Sequence, residues 1–157
     1  MATIEEMGNA ANTAWAEHAL TALQDAGYRK GGARKAVVET LAHHDCAVTA
    51  LELDEELRGR SAAVGRASVY RTLDQLEELG LVQRLEVSRG VASYELISPS
   101  GHHHHHAICR GCGRMEAFED PKLEQAIARV SEQVDFEVSE HDVILRGLCE
   151  RCAVKAG

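Results

Sequence analysis

Three observations on this 157-residue chain predict an α+β fold in two parts. Apolar residues at helical spacing fill its first stretch, which closes in two short extended segments around Ser88-Arg89-Gly90. Composition changes abruptly at Ile97-Ser98-Pro99-Ser100-Gly101. Two Cys-x-x-Cys pairs then bracket a region of short strands. The expected parts are 1–97, with residues 1–16 as an N-terminal arm, a hinge at 98–101, and 102–157.

Residues 1–16 are polar and Ala-rich with no firm period, a helical or frayed arm. From Glu17 to Gly27, Leu20 and Leu23 fit a short helix that Gly27 stops, and Arg34 to His44 repeats the pattern through Val37, Val38 and Leu41. Between them lies the basic loop Tyr28-Arg29-Lys30-Gly31-Gly32. Thr49 followed three residues later by Glu52 reads as a capping box, opening a helix with Leu53 and Leu57 on one face. Gly59 to Gly65 is a small-residue loop. In Arg66 to Leu79, Val69, Leu73 and Leu76 fall at i, i+4 and i+7, and Gly80 is placed as a stop. The opposite face shows Arg66, Tyr70, Arg71, Asp74 and Gln75. Leu81–Val87 and Val91–Leu96 form a hairpin. Three helices followed by a two-stranded ribbon is the element order of a winged helix-turn-helix, whose last helix enters a DNA major groove.

Beyond the hinge, strands are expected over His102–Ile108, Arg114–Phe118, Phe136–Val138 and Val143–Leu145. One helix interrupts them, with Asp120 as its N-cap, Pro121 in its first turn and a stripe of Leu123, Ile127, Val130 and Val134. About 56 residues make a marginal core, so this part is expected to need metal or a partner subunit.

With 45% hydrophobic and 27% charged residues the chain is neither collagenous, nor disordered, nor a disulfide-dense miniprotein. No run reaches the roughly 18 apolar residues of a membrane span. Glu5, Glu6, Glu17 and Asp25 stand where a secretory leader would be basic and then apolar, so a cytoplasmic chain without a membrane partner is expected. Aromatic residues are only 4%, which disfavours single-strand binding by base stacking. The net charge of -8 alone argues against nucleic acid. Its distribution argues the other way: Arg29, Lys30, Arg34, Lys35 and then Arg58, Arg60, Arg66, Arg71 occupy two windows free of acidic residues, and clustered cations release counterions from a phosphate backbone. The alternative is two solvated helix faces.

Cys109-x-x-Cys112 and Cys149-x-x-Cys152 can each grip one edge of a tetrahedral ion through paired thiolates. Zinc suits four sulfurs and has no redox change, so a closed structural site is expected. The alternatives, two disulfides or a redox couple, fit a reducing cytosol poorly. The run His102 to His106 resembles a purification tag in composition, but it lies inside the chain just ahead of the first thiolate pair. On a strand, alternation sends His102, His104 and His106 to one face and His103 and His105 to the other. Glu95 at the end of the hairpin is a natural partner for one set, Glu124 and His141 for the other.

The ordered set Ser68-Val69-Tyr70-Arg71-Thr72-Leu73, Tyr94-Glu95-Leu96, His103 to His106 with Cys109-Arg110-Gly111-Cys112-Gly113, His141, and Gly147-Leu148-Cys149-x-x-Cys152 resembles the ferric uptake regulator family, over residues 18 to 152. The resemblance implies a homodimeric metal-sensing repressor that binds a palindromic double-stranded operator, with a winged-helix N-terminal domain and an α/β dimerisation domain. It implies that Tyr70 contacts bases, with Arg71 beside it in the motif. It also implies a hinge sensory site of Glu95, His104 and His106, and a second site of His103, His105, Glu124 and His141. Arg66, Ser68, Arg29 and Lys30 complete the expected DNA surface.

Departures from the family pattern carry information. The position of a frequent fourth sensory ligand is Ala47, with Cys46 and His44 as nearby substitutes; a thiolate there favours zinc over ferrous iron. Ala117 replaces an acidic ligand of some members, with Glu116 and Glu119 alongside. Asp25 stands in place of a minor-groove lysine, leaving that contact to Arg29 or Lys30, and Gly31-Gly32 replaces the usual Thr-x-x-Arg start of the next helix. The expected function is a zinc-responsive repressor of metal-uptake genes, of the zinc-uptake-regulator type and not an enzyme, with structural zinc and a regulatory zinc or ferrous ion. Iron- and peroxide-responsive regulators are the neighbouring readings, the latter disfavoured by Glu95 in place of Asp. A zinc hydrolase or a zinc storage protein would leave the Arg66–Arg71 face without a use.

Overall fold

The structure, a computed structural model, describes residues 4–60, 63–88, 90–97 and 104–156. The expected hinge at 98–101, together with His102 and His103, lies outside them. The chain forms two compact units, Met1–His102 and His103–Gly157.

In the first unit, α1 (Ile4–Asp25) leads to α2 (Gly32–Leu41), β1 (Val48–Thr49), α3 (Ala50–Gly59), α4 (Arg66–Glu78), β2 (Val82–Ser88) and β3 (Val91–Leu96). From Ile4 onward the expected arm and the helix from Glu17 are one continuous helix. Buried Trp15, Ala16, Ala19 and Leu23 carry its apolar stripe across the expected break, and Trp15 Nε1 donates to the Leu81 carbonyl at 3.1 Å. Gly27 ends the turn after α1 at φ +88°, a conformation that costs glycine nothing. The Thr49 hydroxyl accepts from the Glu52 N–H while the Glu52 carboxylate accepts from the Thr49 N–H, so the capping box opens α3 as its sequence dictates. Val69, Leu73 and Leu76 of α4 are buried against Val37, Val38, Leu41, Leu53 and Leu57, which fixes the polar face of α4 outward. Gly80, at φ +67°, closes α4, and an antiparallel sheet of order β1-β3-β2 follows, with Val82 opposite Leu96 and Val48 opposite Tyr94.

The second unit contains β4 (His105–Cys109), β5 (Met115–Phe118), α5 (Pro121–Gln133), β6 (Ile144–Gly147) and α6 (Glu150–Ala156). Central β4 pairs antiparallel with β5 and parallel with β6. Asp120 caps α5 by accepting from the Lys122 and Leu123 N–H groups, and Pro121 sits at the tolerated start. The expected strand at Phe136–Val138 does not form. Asp135 takes a left-handed turn at φ +53°, and Phe136 exchanges hydrogen bonds with Ser131, donating from its N–H and accepting from the hydroxyl, so the backbone there serves to close α5. The short helix α6, which begins within the second thiolate pair and carries Cys152, went unforeseen, because only the ligand spacing stood out there. Ile108 and Cys109 are the buried apolar side chains among the described residues of this unit, while Val130, Val134, Phe136, Leu145 and Val154 are exposed.

Candidate metal centres and DNA surface

The four predicted thiols come together. Cys109 ends β4, Cys112 follows a tight turn, and Cys149 and Cys152 lie at the start of α6, with all four sulfurs within 4.8 Å of one another. Zinc–sulfur bonds of about 2.3 Å arranged tetrahedrally place ligand sulfurs about 3.8 Å apart, and Cys112 Sγ lies 3.8 Å from Cys149 Sγ. The fit extends to the backbone. A Cβ on Gly111 would sit 3.0 Å from both Cβ and Sγ of Cys152, so the loop needs glycine to let the second pair approach. The Cys149 N–H donates to Cys109 Sγ at 3.3 Å; this bond, with those from the Cys112 and Gly111 backbone, lowers the Cys109 thiol to about 6. Cys152 is pushed up to about 12 by hydrogen bonding to the sulfurs of Cys149, Cys112 and Cys109. The cluster fits a structural zinc ion, with all positions filled by protein.

A second cluster sits on one face of β4. His105, only 2% exposed, places Nε2 2.6 Å from Glu124 Oε1 in the first turn of α5, and His141 Nε2 lies 3.0 Å from Glu124 Oε2. The two imidazole rings are 5.4 Å apart. A carboxylate between two imidazoles is a mixed nitrogen and oxygen donor set suited to zinc, ferrous or manganous ions. His103, the fourth expected member, is outside the described residues.

The expected sensory ligands divide between the units. In the first unit, the Cys46 sulfur and a Glu95 carboxylate oxygen lie within 4.8 Å of each other, and Gln83 Nε2 donates to Glu95 Oε2 at 3.0 Å. His44, the other substitute for the missing ligand, is engaged elsewhere, its Nε2 2.9 Å from Glu56 Oε2. In the second unit, His106 is buried on the β4 face opposite His105, and the rings of His104 and His106 meet edge-to-face at 5.9 Å. His104 Nδ1 also lies 3.9 Å from Glu119 Oε1.

On α4, Tyr70 is 44% exposed, Arg71 points outward with Nε donating to the Ala67 carbonyl, and Ser68 is half-buried. Arg29 and Lys30 are exposed on the α1–α2 loop. Tyr28 and Arg34 brace that loop against α4: the Tyr28 hydroxyl donates to Glu78, Arg34 Nε donates to Gln75, and the Arg34 guanidinium lies over the Tyr28 ring. The hydrogen bond to Glu78 raises the Tyr28 phenol above its ordinary range. Sequence reading counted Arg34 only as a charge and missed the brace. The second cationic window is acid-free in sequence but not in space, because α3 brings Asp54 to Arg58 and Arg66, and Glu56 to Arg60. That correction follows from helical periodicity, which aligns Asp54 with Arg58 and Glu56 with Arg60.

The model of the ferric uptake regulator family matches residues 25–146. The chain belongs to this family. It is 33% identical over 129 residues to the ferric uptake regulation protein of Vibrio anguillarum, covering 82% of this chain and 85% of that protein. Among solved structures, the Vibrio cholerae ferric uptake regulator superposes with a TM-score of 0.73 at 32% identity, covering 82% of this chain and 98% of that one. The Helicobacter pylori ferric uptake regulator, described as having three functional metal-binding sites, gives 0.78 at 25% identity, covering 90% and 93%. As a member of the family, the chain is a metal-responsive, dimeric DNA-binding transcription regulator and not an enzyme. Among the described residues, no helix is long and apolar enough to cross a membrane.

Proposed function

We propose that this ferric uptake regulator family member is a zinc-responsive cytoplasmic repressor of metal-uptake genes, of the zinc-uptake-regulator type. In this reading residues 1–97 bind the operator, 98–101 act as the hinge, and 102–157 hold metal and dimerise through the exposed apolar side chains of the second unit. The observation that carries the zinc assignment is the Cys46 sulfur within 4.8 Å of the Glu95 carboxylate. A soft thiolate in the sensory set selects zinc over ferrous iron. Cys46 and Glu95 of the first unit, with His104 and His106 of the second, would hold the sensory ion; His103, His105, Glu124 and His141 would hold another. Donors from both units engaging one ion restrict the angle between them and so the spacing of the two Tyr70-bearing helices on successive major grooves. About 3 kcal/mol of preference for the DNA-competent arrangement changes operator affinity roughly a hundredfold.

An iron-responsive regulator is the second reading, favoured by the 33% identity to a ferric uptake regulation protein. A gel shift on an AT-rich palindromic duplex separates the two. Zinc-dependent retention, lost with chelator and weakened in Cys46→Ser, is the expected result. Retention with ferrous iron alone, unaffected by Cys46→Ser, overturns the zinc assignment.

A further inference from the structure

We infer that Asp54 is a positioning residue for DNA binding, holding Arg66 at the start of α4 so that its outer edge meets a backbone phosphate. The inference rests on the DNA-binding reading of α4. Asp54 lies on α3, fully buried, and its Oδ2 accepts from Arg66 Nε at 3.0 Å and forms an ion pair with Arg58 Nη2 at 2.9 Å. Its Oδ1 is buried without a hydrogen-bond partner.

As a stabilising device this is a poor arrangement. A buried carboxylate with one oxygen unmatched is a group that apolar side chains often replace at no loss of stability. As a positioning device it is well made. Arg66 is the first residue of α4, and Nε is the inner edge of its guanidinium. The bond made there leaves both Nη nitrogens, which have no protein partner among the described residues, on a side chain 53% exposed. A guanidinium gripped on one edge presents the other as a fixed two-pronged donor, the geometry that matches phosphate. The N-terminal end of α4 adds the positive end of its dipole at the same place. Tyr70, one turn further along, is exposed for the groove itself. Lysine in place of Arg66 would keep the charge but offers a single nitrogen, with no separate fixed edge to present to a phosphate once the carboxylate holds it.

The test uses the metal-loaded full-length dimer and a fluorescein-labelled AT-rich palindromic duplex, followed by anisotropy. Asp54→Asn is expected to weaken binding at least about tenfold, the size of a lost charge-assisted hydrogen bond, and to change it by less than about twofold in an Arg66→Ala background. Equal losses in both backgrounds would mean that Asp54 only supports the fold, and would overturn the proposal. Should Asp54→Asn not fold, the surface change Arg66→Lys decides alone. A loss close to that of Arg66→Ala supports the clasp, and wild-type binding refutes it. The loss should be the same factor on a scrambled duplex, because phosphate contacts carry no sequence information; a loss confined to the palindrome means a base contact and overturns the phosphate assignment. Tyr70→Ala is the control for the underlying reading. If it leaves binding unchanged, the α4 reading fails and the clasp with it; if it abolishes binding while Arg66→Lys behaves as wild type, only the clasp fails.

Discussion

Replacing Gly111 with alanine tests the four-thiolate site through its backbone while leaving every ligand in place. The added Cβ would lie 3.0 Å from Cys152 Cβ and Sγ and 3.4 Å from Leu148 Cδ2. Leu148 is half exposed and can turn aside. Cys152 cannot, because its sulfur is one bond from a Cβ fixed on α6. Reaching ordinary contact requires a shift of about 0.4 Å, twice the roughly 0.2 Å by which a metal–ligand distance can depart from its usual value. Overpacking of this kind costs about 1–3 kcal/mol, which corresponds to a roughly 5- to 150-fold weaker hold on structural zinc. Competition against a chromophoric zinc chelator measures the loss directly. Gly147→Ala is the matched control, since its Cβ would meet nothing within 4 Å. If Gly111→Ala retained zinc as tightly as Gly147→Ala, the close approach of the two thiolate pairs would not be what holds the ion, and the geometric argument would fail.

Other perturbations probe the remaining links. Leu73→Ala, at a fully buried position of α4, should destabilise the first unit by about 2–5 kcal/mol in denaturant titrations; a loss below about 1 kcal/mol would contradict its place in the core. Trp15→Phe removes one of the two donors to the Leu81 carbonyl, the other being the Ile97 N–H, together with the packing of the indole's five-membered ring, for an expected loss of about 1–3 kcal/mol; unchanged stability would show that the indole contributes neither bond nor packing there. Glu124→Gln withdraws the carboxylate that joins His105 to His141, so bound metal should fall by one ion per chain in elemental analysis while the thiolate site keeps its own. Loss of both ions would mean that the clusters are not independent.

What the sequence discloses and what it conceals divide along physical lines. Capping boxes, glycine stops and the Val69, Leu73, Leu76 spacing are local rules, and α3, α4 and the hairpin appear where those rules put them. The thiolates are legible because chelation imposes a fixed short spacing on each pair. The alternation of His105 and His106 to opposite faces of β4 follows from strand pleating alone. The misreading at Phe136–Val138 arose because three residues of alternating character do not distinguish a strand from a segment wrapped back on a helix end. Gly111 as a packing requirement, the Tyr28–Arg34 brace and the Asp54 clasp are contacts between separate elements, and no window of neighbouring residues contains both partners.

The same distinction changes the expected electrostatics of DNA binding. Eight cations in two acid-free windows suggest eight phosphate contacts per protomer. In the folded first unit, Lys35 faces Glu39 at 3.6 Å, Arg60 meets Glu56, Arg58 shares Asp54 with Arg66, and Arg34 is spent on Gln75 and the Tyr28 ring. Arg29, Lys30 and Arg71 meet no carboxylate among the described residues, and Arg66 keeps its outer edge. About four contacts per protomer give a dimer a slope of log affinity against log salt near −7, whereas about eight would give near −14. The exposed Lys35 and Arg60 pairs are weak enough to open, but even their full release brings the slope only to about −11. Anisotropy titrations across a range of potassium chloride concentrations read this number. A value near −14 would require Arg58 to leave Asp54 and Arg34 to leave Gln75 and the Tyr28 ring as well; that result would refute the partition of charges drawn from the fold.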